Sequence, residues 1–268
     1  ASLLKQHGYH TACVGKWHLG MDWDVLPGKT VSELSIESAE QVHNVDYARP
    51  VTNGVQSVGF DEYFGISASL DMVPYTYIQD DRVEKLPTLD KEFELYLGRN
   101  ARMTRYGPTA PDFDAMEVLP RLAKEAVAYV ERRAEAARQG TPFFLYLPLT
   151  SPHTPILPSP EWQNKSGISY YADFVMQTDH AVAGVLAALD KHGLAENTLV
   201  VLTSDNGCSP SADYPELLAK GHNPSYVFRG HKADVYEGGH RIPFLVRWPA
   251  RVQAGSKTDQ TVCLTDFQ

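Results

Sequence analysis

Residues 8–20 read GYHTACVGKWHLG, and this stretch determines our prediction of the fold. Gly8 suits the end of a helix, because glycine readily adopts the left-handed conformation that commonly follows the last helical turn. The β-prone run at residues 11–14 predicts a short buried strand, and Gly15 and Gly20 bracket the polar turn that follows it. Ligands of open α/β sheets bind beyond the carboxyl ends of strands, so we expect functional side chains in this turn.

The turn carries Lys16 and His18. A lysine is a compact positive charge that suits an anion, and a histidine can donate or accept a proton near neutral pH. A solvated lysine beside a histidine that only bonds to backbone is an equally good interpretation on local grounds. The other motifs of the chain therefore have to decide between these two interpretations.

Apolar strands alternate with amphipathic helices along the rest of the chain. Strands are predicted at residues 59–66, 142–149, 198–203 and 242–247, and helices at residues 117–138 and 170–192. We read the strands at residues 142–149 and 198–203 as buried. The alternation predicts an α/β fold with a mostly parallel central sheet and helices on both faces.

Two long stretches do not fit this alternation. Residues 21–49 are polar and without a sustained period, which predicts an irregular surface segment. Residues 72–115 are rich in proline and aromatic residues. Those aromatic side chains either stack on a sugar or aryl group or anchor the insertion to the core, and we favour anchoring.

Composition limits the classes of function. The 268 residues suffice for one large α/β domain or two small ones, and 43% hydrophobic with 21% charged residues is ordinary for a globular protein. The formal net charge of -9 argues against nucleic acid as the main partner, although an anionic small substrate remains possible. No run is long and apolar enough to predict a membrane span. The three cysteines are too widely spaced for a disulfide framework or a paired zinc site, and Cys13 is predicted to be a buried small hydrophobe.

Chemically useful side chains recur beside the predicted strands. They are Lys16, His18, Ser69, His153, Asp205, Asn206 and Lys232. If the sheet is parallel, these positions meet at one edge and can share one site.

Each type of side chain suggests a part of one reaction. Asp205 and Asn206 offer hard oxygen ligands for Ca²⁺ or Mg²⁺, although Asp-Asn-Gly is also a good turn sequence. Lys16 and Lys232 are suited to hold a tetrahedral oxyanion such as sulfate or phosphate. Histidines can position a nucleophile and protonate a leaving oxygen. Together they favour a hydrolase of an anionic ester.

Four segments, in this order, carry a family resemblance. Residues 8–20, the PHTP of 152–155, the TSDNG of 203–207 and the GHK through YEGG of 230–239 resemble the motifs of the type I sulfatases. That family belongs to the alkaline-phosphatase-like superfamily, so the resemblance implies that fold. It also implies a sulfatase that acts on a carbohydrate or aryl sulfate ester.

The resemblance implies roles for individual residues. Lys16 matches a lysine that contacts the sulfate and the nucleophile, and His18 matches a histidine that hydrogen-bonds the hydrated formylglycine. His153 matches the histidine at the leaving-group oxygen. Lys232 matches a lysine that binds the sulfate.

The remaining matches concern the metal and one sulfate contact. Asp205 and Asn206 match two ligands of a calcium ion, which the resemblance favours over magnesium. Ser69 matches a serine near the sulfate. The expected cofactors are therefore Ca²⁺ and a formylglycine supplied by a segment that precedes these motifs.

One family motif has no counterpart. No cysteine here is followed by the Cys-x-Pro-Ser-Arg pattern whose cysteine becomes formylglycine. We therefore expect residues 1–268 to be a partial catalytic domain, truncated at both ends and inactive by itself, within an exported parent protein. Two alternatives remain open: a phosphodiesterase or phosphonate hydrolase of the same superfamily, and a non-catalytic anion- or glycan-binding relative. The sequence leaves the oligomeric state open.

Overall fold

The computed structural model describes residues 1–32, 41–99 and 101–267. Its strands are β1 (His10–Lys16), β2 (Glu62–Ile66), β3 (Ile78–Gln79), β4 (Arg82–Val83), β5 (Leu89–Lys91), β6 (Gly107–Thr109), β7 (Phe143–Tyr146), β8 (Val200–Thr203) and β9 (Phe244–Arg247). Its α-helices are α1 (Ser2–Gln6), α2 (Val118–Arg138), α3 (Tyr170–Lys191), α4 (Tyr214–Ala219) and α5 (Glu237–His240). Short 3-10 helices span Val42–Asn44, Val55–Val58, Ala115–Glu117, Ala195–Asn197, Pro210–Ala212 and Leu264–Phe267.

Within the described ranges, five strands form the central sheet in the order β4-β3-β2-β1-β7. β1 pairs in parallel with β2 and with β7, so Ala12 lies opposite Glu62 on one side and Leu145 on the other. The middle of β1 is buried from Thr11 to Gly15, as expected for a strand with parallel neighbours on both sides and covered faces. The predicted strand at residues 11–14 is confirmed.

The two faces of the sheet pack against different layers. Val14 of β1 and Phe64 of β2 lie in one apolar cluster with Leu122 of α2, which is fully buried. Their neighbours Cys13 and Tyr63 lie in the cluster on the other face. This alternation follows from the two-residue period of a strand. The α/β fold with a central sheet is therefore confirmed.

The far side of β2 extends the sheet with antiparallel strands. β3 pairs antiparallel with β2, and β4 pairs antiparallel with β3. These two strands belong to the insertion at residues 72–115, whose aromatic side chains were predicted to anchor it. Tyr75 is buried, and Tyr77 stacks on Phe64 with ring centroids 5.3 Å apart. For these rings the anchoring role is confirmed, whereas Tyr106 is 60% exposed.

The predicted strand at residues 142–149 is shorter and less buried than expected. β7 covers only Phe143–Tyr146, and the Tyr146 side chain is 44% exposed. The reason is its position in the sheet: among the described residues β7 has a strand partner on the β1 side alone. An edge strand of this kind leaves one row of backbone groups and part of its side chains open.

The placement of the last two predicted strands is wrong. β8 and β9 form a separate antiparallel pair, in which Val201 lies opposite Val246, and in the described part of the chain neither pairs with the central sheet. Leu202 of β8 is 38% exposed, so this strand is not buried as expected. β8 packs beside β7 through a shared apolar cluster that contains Phe143, Val200 and residues of α3. Apolar composition predicted the strands correctly, but it carries no information about the partner that completes their hydrogen bonds.

Both long helices are confirmed. The helix predicted at residues 117–138 corresponds to α2 (Val118–Arg138). The helix predicted at residues 170–192 corresponds to α3 (Tyr170–Lys191). The Ser169 hydroxyl caps α3 by accepting a hydrogen bond of 3.2 Å from the Ala172 N–H, which satisfies one of the free donors at the helix start. No helix of the described ranges is long and apolar enough to cross a membrane.

Part of the predicted irregular segment at 21–49 falls on residues 33–40, which lie outside the described residues. The described parts contain a 3-10 helix and isolated bridges, such as the one between Val25 and Val45. Most of this stretch is therefore irregular, as expected.

Candidate functional site

The loop that follows β1 is bonded to the loops that follow its neighbours. The Lys16 N–H donates to the Pro148 carbonyl at 2.8 Å, which connects β1 to the segment after β7. On the other side the His18 N–H donates to the Ser67 carbonyl at 2.9 Å, which connects β1 to the segment after β2. These bonds hold the three loops side by side at the carboxyl edge of the sheet, where the sequence predicted a site.

Glycine at position 15 makes this arrangement possible. Gly15 has a φ of 145°, and a Cβ at this position would overlap the backbone carbonyl of Pro148. Any larger residue would push the segment after β7 away from Lys16. The glycine therefore sets the distance between the Lys16 loop and the loop that carries His153.

Two of the predicted site residues are in direct contact. The Ser69 hydroxyl and His18 Nδ1 are 3.0 Å apart. Ser69 is 3% exposed, while His18 lies at the surface with a φ of 56°. The contact fixes the plane of the imidazole ring and leaves His18 Nε2 as the nitrogen available to a reacting group.

Lys16 lies at the centre of a group of charges. Burial lowers the pKa of its ammonium, the nearby Asp205 raises it, Lys232 lowers it, and Asp71 raises it. Two lysines that repel each other in a partly buried place form a focused positive field, which an anion can neutralise. The arrangement brings Lys16, Lys232 and Asp205 together, although β8, which precedes Asp205, lies outside the central sheet whose edge was predicted to collect them.

Several of the same charged side chains also act on the imidazole of His18. Partial burial lowers its pKa first, and the Lys16 ammonium lowers it further, with smaller effects from Asp71, His153 and Lys232. Its neutral form is therefore favoured near pH 7. Because His153 is among the groups that act on His18, the loop after β7 contributes to the same site.

His153 lies in a loop whose hydrogen bonds fix its ring. Its Nδ1 is 2.7 Å from the Thr154 carbonyl oxygen. A carbonyl can only accept, so Nδ1 carries the proton and Nε2 is the position that gains or loses one. The nearby Ser151 hydroxyl accepts from Thr178 of α3 at 2.7 Å, which ties the loop to the helix layer.

The loop after β8 and the segment 229–239 are packed backbone to backbone. The Gly207 N–H donates to the Gly239 carbonyl at 2.8 Å, and the Lys232 N–H donates to the Cys208 carbonyl at 2.9 Å. A Cβ on Gly207 would overlap the carbonyl of Gly238. Lys232 therefore has a fixed position relative to Asp205 even though 26 residues separate them.

Asp205 and Asn206 present oxygen atoms that suit a hard cation. The Asn206 side-chain N–H donates to the Gly207 carbonyl at 2.9 Å, and no group in the described part of the chain donates to the Asn206 side-chain oxygen. Within the described ranges, the Asp205 carboxylate has no hydrogen-bond partner, and no group of three or more His, Cys, Asp or Glu is arranged around a metal position. The pair fits Ca²⁺ or Mg²⁺ as part of a coordination shell that needs six or more oxygens for calcium.

Sequence reasoning missed Asp71. It lies two residues after Ser69 and acts electrostatically on both Lys16 and His18. Its Oδ1 is buried and has no hydrogen-bond partner among the described residues. The available signal was its place in a loop at the end of a predicted strand, which is the criterion that selected Ser69.

The cysteines nearest this region are not activated nucleophiles. Cys13 is fully buried, and burial raises the pKa of its thiol to about 12. Its prediction as a buried small hydrophobe is confirmed. Burial also raises the pKa of Cys208, whose thiol is 3.3 Å from the Tyr171 hydroxyl. Thiols of this kind stay protonated and inert near pH 7.

Comparison with known proteins gives a match along almost the entire chain. The family model described as Sulfatase matches residues 1–267. An N-acetylgalactosamine-6-O-sulfatase of Bacteroides thetaiotaomicron is 29% identical over 282 residues, which cover 94% of this chain and 52% of the relative. An N-acetylgalactosamine-6-sulfatase of Rattus norvegicus is 28% identical over 265 residues, which cover 99% of this chain and 42% of the relative. The chain thus spans about half or less of the length of these curated relatives.

Solved structures agree with this match. A Bacteroides thetaiotaomicron protein, described in connection with the metabolism of multiple glycosaminoglycans, has a TM-score of 0.73 and 27% identity. The match covers 94% of this chain and 55% of that one. The structure of Ps i-CgsB in complex with k-i-k-neocarrahexaose has a TM-score of 0.54 and 25% identity, with 95% of this chain and 48% of that one covered.

Proposed function

Because this chain belongs to the sulfatase family, we propose that its parent protein hydrolyses a sulfate ester of a carbohydrate or an aryl alcohol. One observation carries the proposal. Charged and titratable side chains from loops far apart in sequence act electrostatically on Lys16 or His18 at the end of β1; they are Lys232, His153, Asp205 and Asp71. This set of groups matches the needs of a reaction that moves a tetrahedral anion and protonates a leaving oxygen.

The two lysines would hold the sulfate. Lys16 and Lys232 repel each other, and an anion placed between them removes that repulsion. As the ester bond breaks, negative charge grows on the sulfate and leaving oxygens, and a partly buried ammonium stabilises it better than water does.

His153 would act as the general acid. Its Nδ1–H is bonded to the Thr154 carbonyl, so the proton transferred to the leaving oxygen comes from Nε2 of the doubly protonated ring. His18, bonded through Nδ1 to Ser69, would orient the nucleophile through its free Nε2. The two histidines then serve opposite ends of the same displacement.

Sulfatase family membership generally implies a metal ion and formylglycine. We propose that Asp205 and Asn206 contribute to a Ca²⁺ site, with Ca²⁺ preferred over Mg²⁺, and that further ligands come from outside residues 1–268. Bound calcium would supply a fixed positive charge against the sulfate. Formylglycine, contributed by the parent protein, would supply the nucleophilic hydroxyl. We propose that residues 1–268 form a partial catalytic domain, inactive by itself, because the three cysteines here lack the required motif.

Two findings support a sulfated carbohydrate as the substrate. Two similar relatives are named as N-acetylgalactosamine-6-sulfatases. One similar structure is described as a complex with k-i-k-neocarrahexaose. Proteins that act on such polymers work where the polymers are, so we propose that the parent protein is exported.

The activity test uses the parent protein and a panel of esters. N-acetylgalactosamine 6-sulfate, 4-nitrophenyl sulfate, bis(4-nitrophenyl) phosphate and phenylphosphonate esters would be assayed with calcium and with a chelator. Faster turnover of the sulfates, lost on chelation, is the expected result. Preference for the phosphorus esters would support the phosphodiesterase alternative. Binding of the sulfated sugar without turnover, in a parent protein that lacks Cys-x-Pro-Ser-Arg, would support the non-catalytic alternative.

A further inference from the structure

The Tyr106 side chain differs from the other tyrosines of the insertion at residues 72–115. It is 60% exposed, whereas Tyr75 is 1% exposed and Tyr96 is 8% exposed. The buried rings stabilise the insertion, but most of the Tyr106 ring is left free to contact a ligand. A single exposed ring is also common on protein surfaces, so the place of Tyr106 in the fold decides what it can bind.

A β-bulge in the ribbon that begins with β5 and β6 brings Tyr106 to the surface. Lys91 pairs with Gly107, and further along the ribbon Glu94 forms a bridge with Met103. These two pairs enclose two residues on one strand and three on the other. The extra residue breaks the alternation of buried and exposed side chains, so Tyr106 and the residue before it are both exposed. Bulges re-aim side chains and are frequent next to active sites.

The bulge is hydrogen-bonded to one loop of the candidate site. The Arg105 N–H donates to the Asp71 carbonyl at 3.2 Å. Asp71 lies two residues after Ser69, whose hydroxyl is 3.0 Å from His18 Nδ1. These links limit the separation of the Tyr106 and Ser69 Cα atoms to at most about 18 Å, a span that a glycan of a few sugars covers.

The other end of the ribbon is hydrogen-bonded to a second loop of the site. The Ile156 N–H donates to the Leu95 carbonyl at 2.9 Å, and the Leu97 N–H donates to the Ile156 carbonyl at 3.1 Å. Ile156 lies three residues after His153, the proposed general acid. The ribbon thus connects the loops of Ser69 and His153, and its exposed ring lies beside the site.

We propose that Tyr106 stacks on a sugar ring that flanks the sulfated sugar, so that the parent protein prefers sulfated oligosaccharides to monosaccharide sulfates. The proposal rests on the function proposed above and names the residue that recognises the rest of the glycan. A sugar ring presents apolar C–H groups on its faces, which pack on an aromatic ring while its hydroxyls stay in water. Tyrosine suits this contact, because its ring is apolar and its hydroxyl remains solvated.

The main test compares Tyr106→Ala with the wild-type parent protein on two substrates, N-acetylgalactosamine 6-sulfate and a tetrasaccharide that contains this sugar. For the tetrasaccharide kcat/KM is expected to fall by about 3–10-fold, as for loss of one aromatic contact, and for the monosaccharide by less than about twofold. Tyr106→Trp should keep the preference for the tetrasaccharide. Leu86→Ala is the matched control, because Leu86 is an apolar residue of the same insertion that is 47% exposed, and neither substrate should be affected.

Equal losses for the two substrates would overturn the proposal, because Tyr106 would then only support the Ser69 loop. An unchanged kcat/KM for the tetrasaccharide would also overturn it. If that result came with a lower Tm, the ring would be covered by a part of the parent protein outside residues 1–268.

Failure of the proposed function can be told apart from failure of this inference. If the wild-type protein hydrolyses no ester, the proposed function fails, and calorimetric titration with the same two sugars tests the inference. Tyr106→Ala should then weaken the affinity for the tetrasaccharide and leave that for the monosaccharide unchanged. Equal changes, or no binding of the tetrasaccharide to the wild-type protein, would refute the inference.

A second measurement locates the contact on the glycan. In saturation-transfer NMR on the wild-type protein, irradiation of aromatic protons should saturate the C–H protons of the flanking sugar. This transfer should be lost in Tyr106→Ala and kept in Leu86→Ala. Transfer to the flanking sugar that persists without the Tyr106 ring, or transfer confined to the sulfated sugar, would show that the proposal is wrong.

Discussion

Replacement of His153 by alanine gives the sharpest test of the proposed chemistry. The Nδ1 of His153 is held 2.7 Å from the Thr154 carbonyl, so proton transfer to substrate must use Nε2. General acid catalysis is worth about 10²–10⁴-fold, or about 3–5 kcal/mol of activation free energy. A sugar alkoxide is a strong base and needs that proton in the transition state, whereas nitrophenolate leaves without one. His153→Ala should therefore reduce kcat by about 10²–10⁴-fold for a sugar sulfate and by less than about tenfold for 4-nitrophenyl sulfate.

The assay is steady-state kinetics of the parent protein with both esters at several pH values. His7→Ala is the control, because His7 is exposed at the end of α1. Equal losses for the two leaving groups would refute the acid role and leave His153 as a residue that only shapes the loop.

Three further results are expected. Leu122 is fully buried in the α2 cluster, so Leu122→Ala should lower the free energy of unfolding by about 2–5 kcal/mol in urea titrations, whereas exposed Leu218→Ala should change it by less than about 0.5 kcal/mol. Lys16→Met should raise the pKa of His18 in an NMR titration, because the Lys16 ammonium lowers it in the wild type; an unchanged pKa would contradict an electrostatic effect of Lys16 on His18. Asp205→Ala should abolish the calcium-dependent rise in Tm of the parent protein, and a rise that persists would exclude Asp205 as a ligand.

The lowered pKa of His18 also determines how the free energy of unfolding changes with pH. Because the folded pKa of His18 lies below its unfolded value of about 6.5, the unfolded chain binds more protons between the two values. His18 therefore favours folding above about pH 6.5, and this contribution is lost as pH falls through the folded pKa. In Lys16→Met the folded pKa of His18 should lie nearer 6.5, so the loss should be complete at a higher pH and be smaller.

Local patterns predicted the elements of this fold well. The strand at residues 11–14 and the helices at 117–138 and 170–192 agree with the structure within one or two residues at their shared bounds. Each of these signals is contained in its own segment: an apolar run ended by glycine, or apolar residues at helical spacing. Tertiary packing did not need to be known.

Pairing between distant segments was not predictable in the same way. β8 looked like a member of the central sheet, yet it pairs antiparallel with β9, because the choice of partner depends on residues more than 40 positions away. The contact between Ser69 and His18 is similar. Both residues were predicted, but their hydrogen bond depends on the parallel register of β1 and β2, which fixes how far each loop projects.

Asp71 illustrates a different limit. Its type and its place in a strand-end loop resemble many surface aspartates, and nothing in the residues around it indicates an unpartnered oxygen. Only the burial of Oδ1 in the folded chain makes it unusual. A residue that is identified by its missing hydrogen-bond partner can be found only once the folded structure is known.

The most direct test of the central claim is a crystal structure of the parent protein with a bound sulfated sugar. The account predicts that the sulfate lies between the Nζ atoms of Lys16 and Lys232, with His153 Nε2 at the bridging ester oxygen. A sulfate bound elsewhere, with the two ammonium groups free of it, would contradict the account.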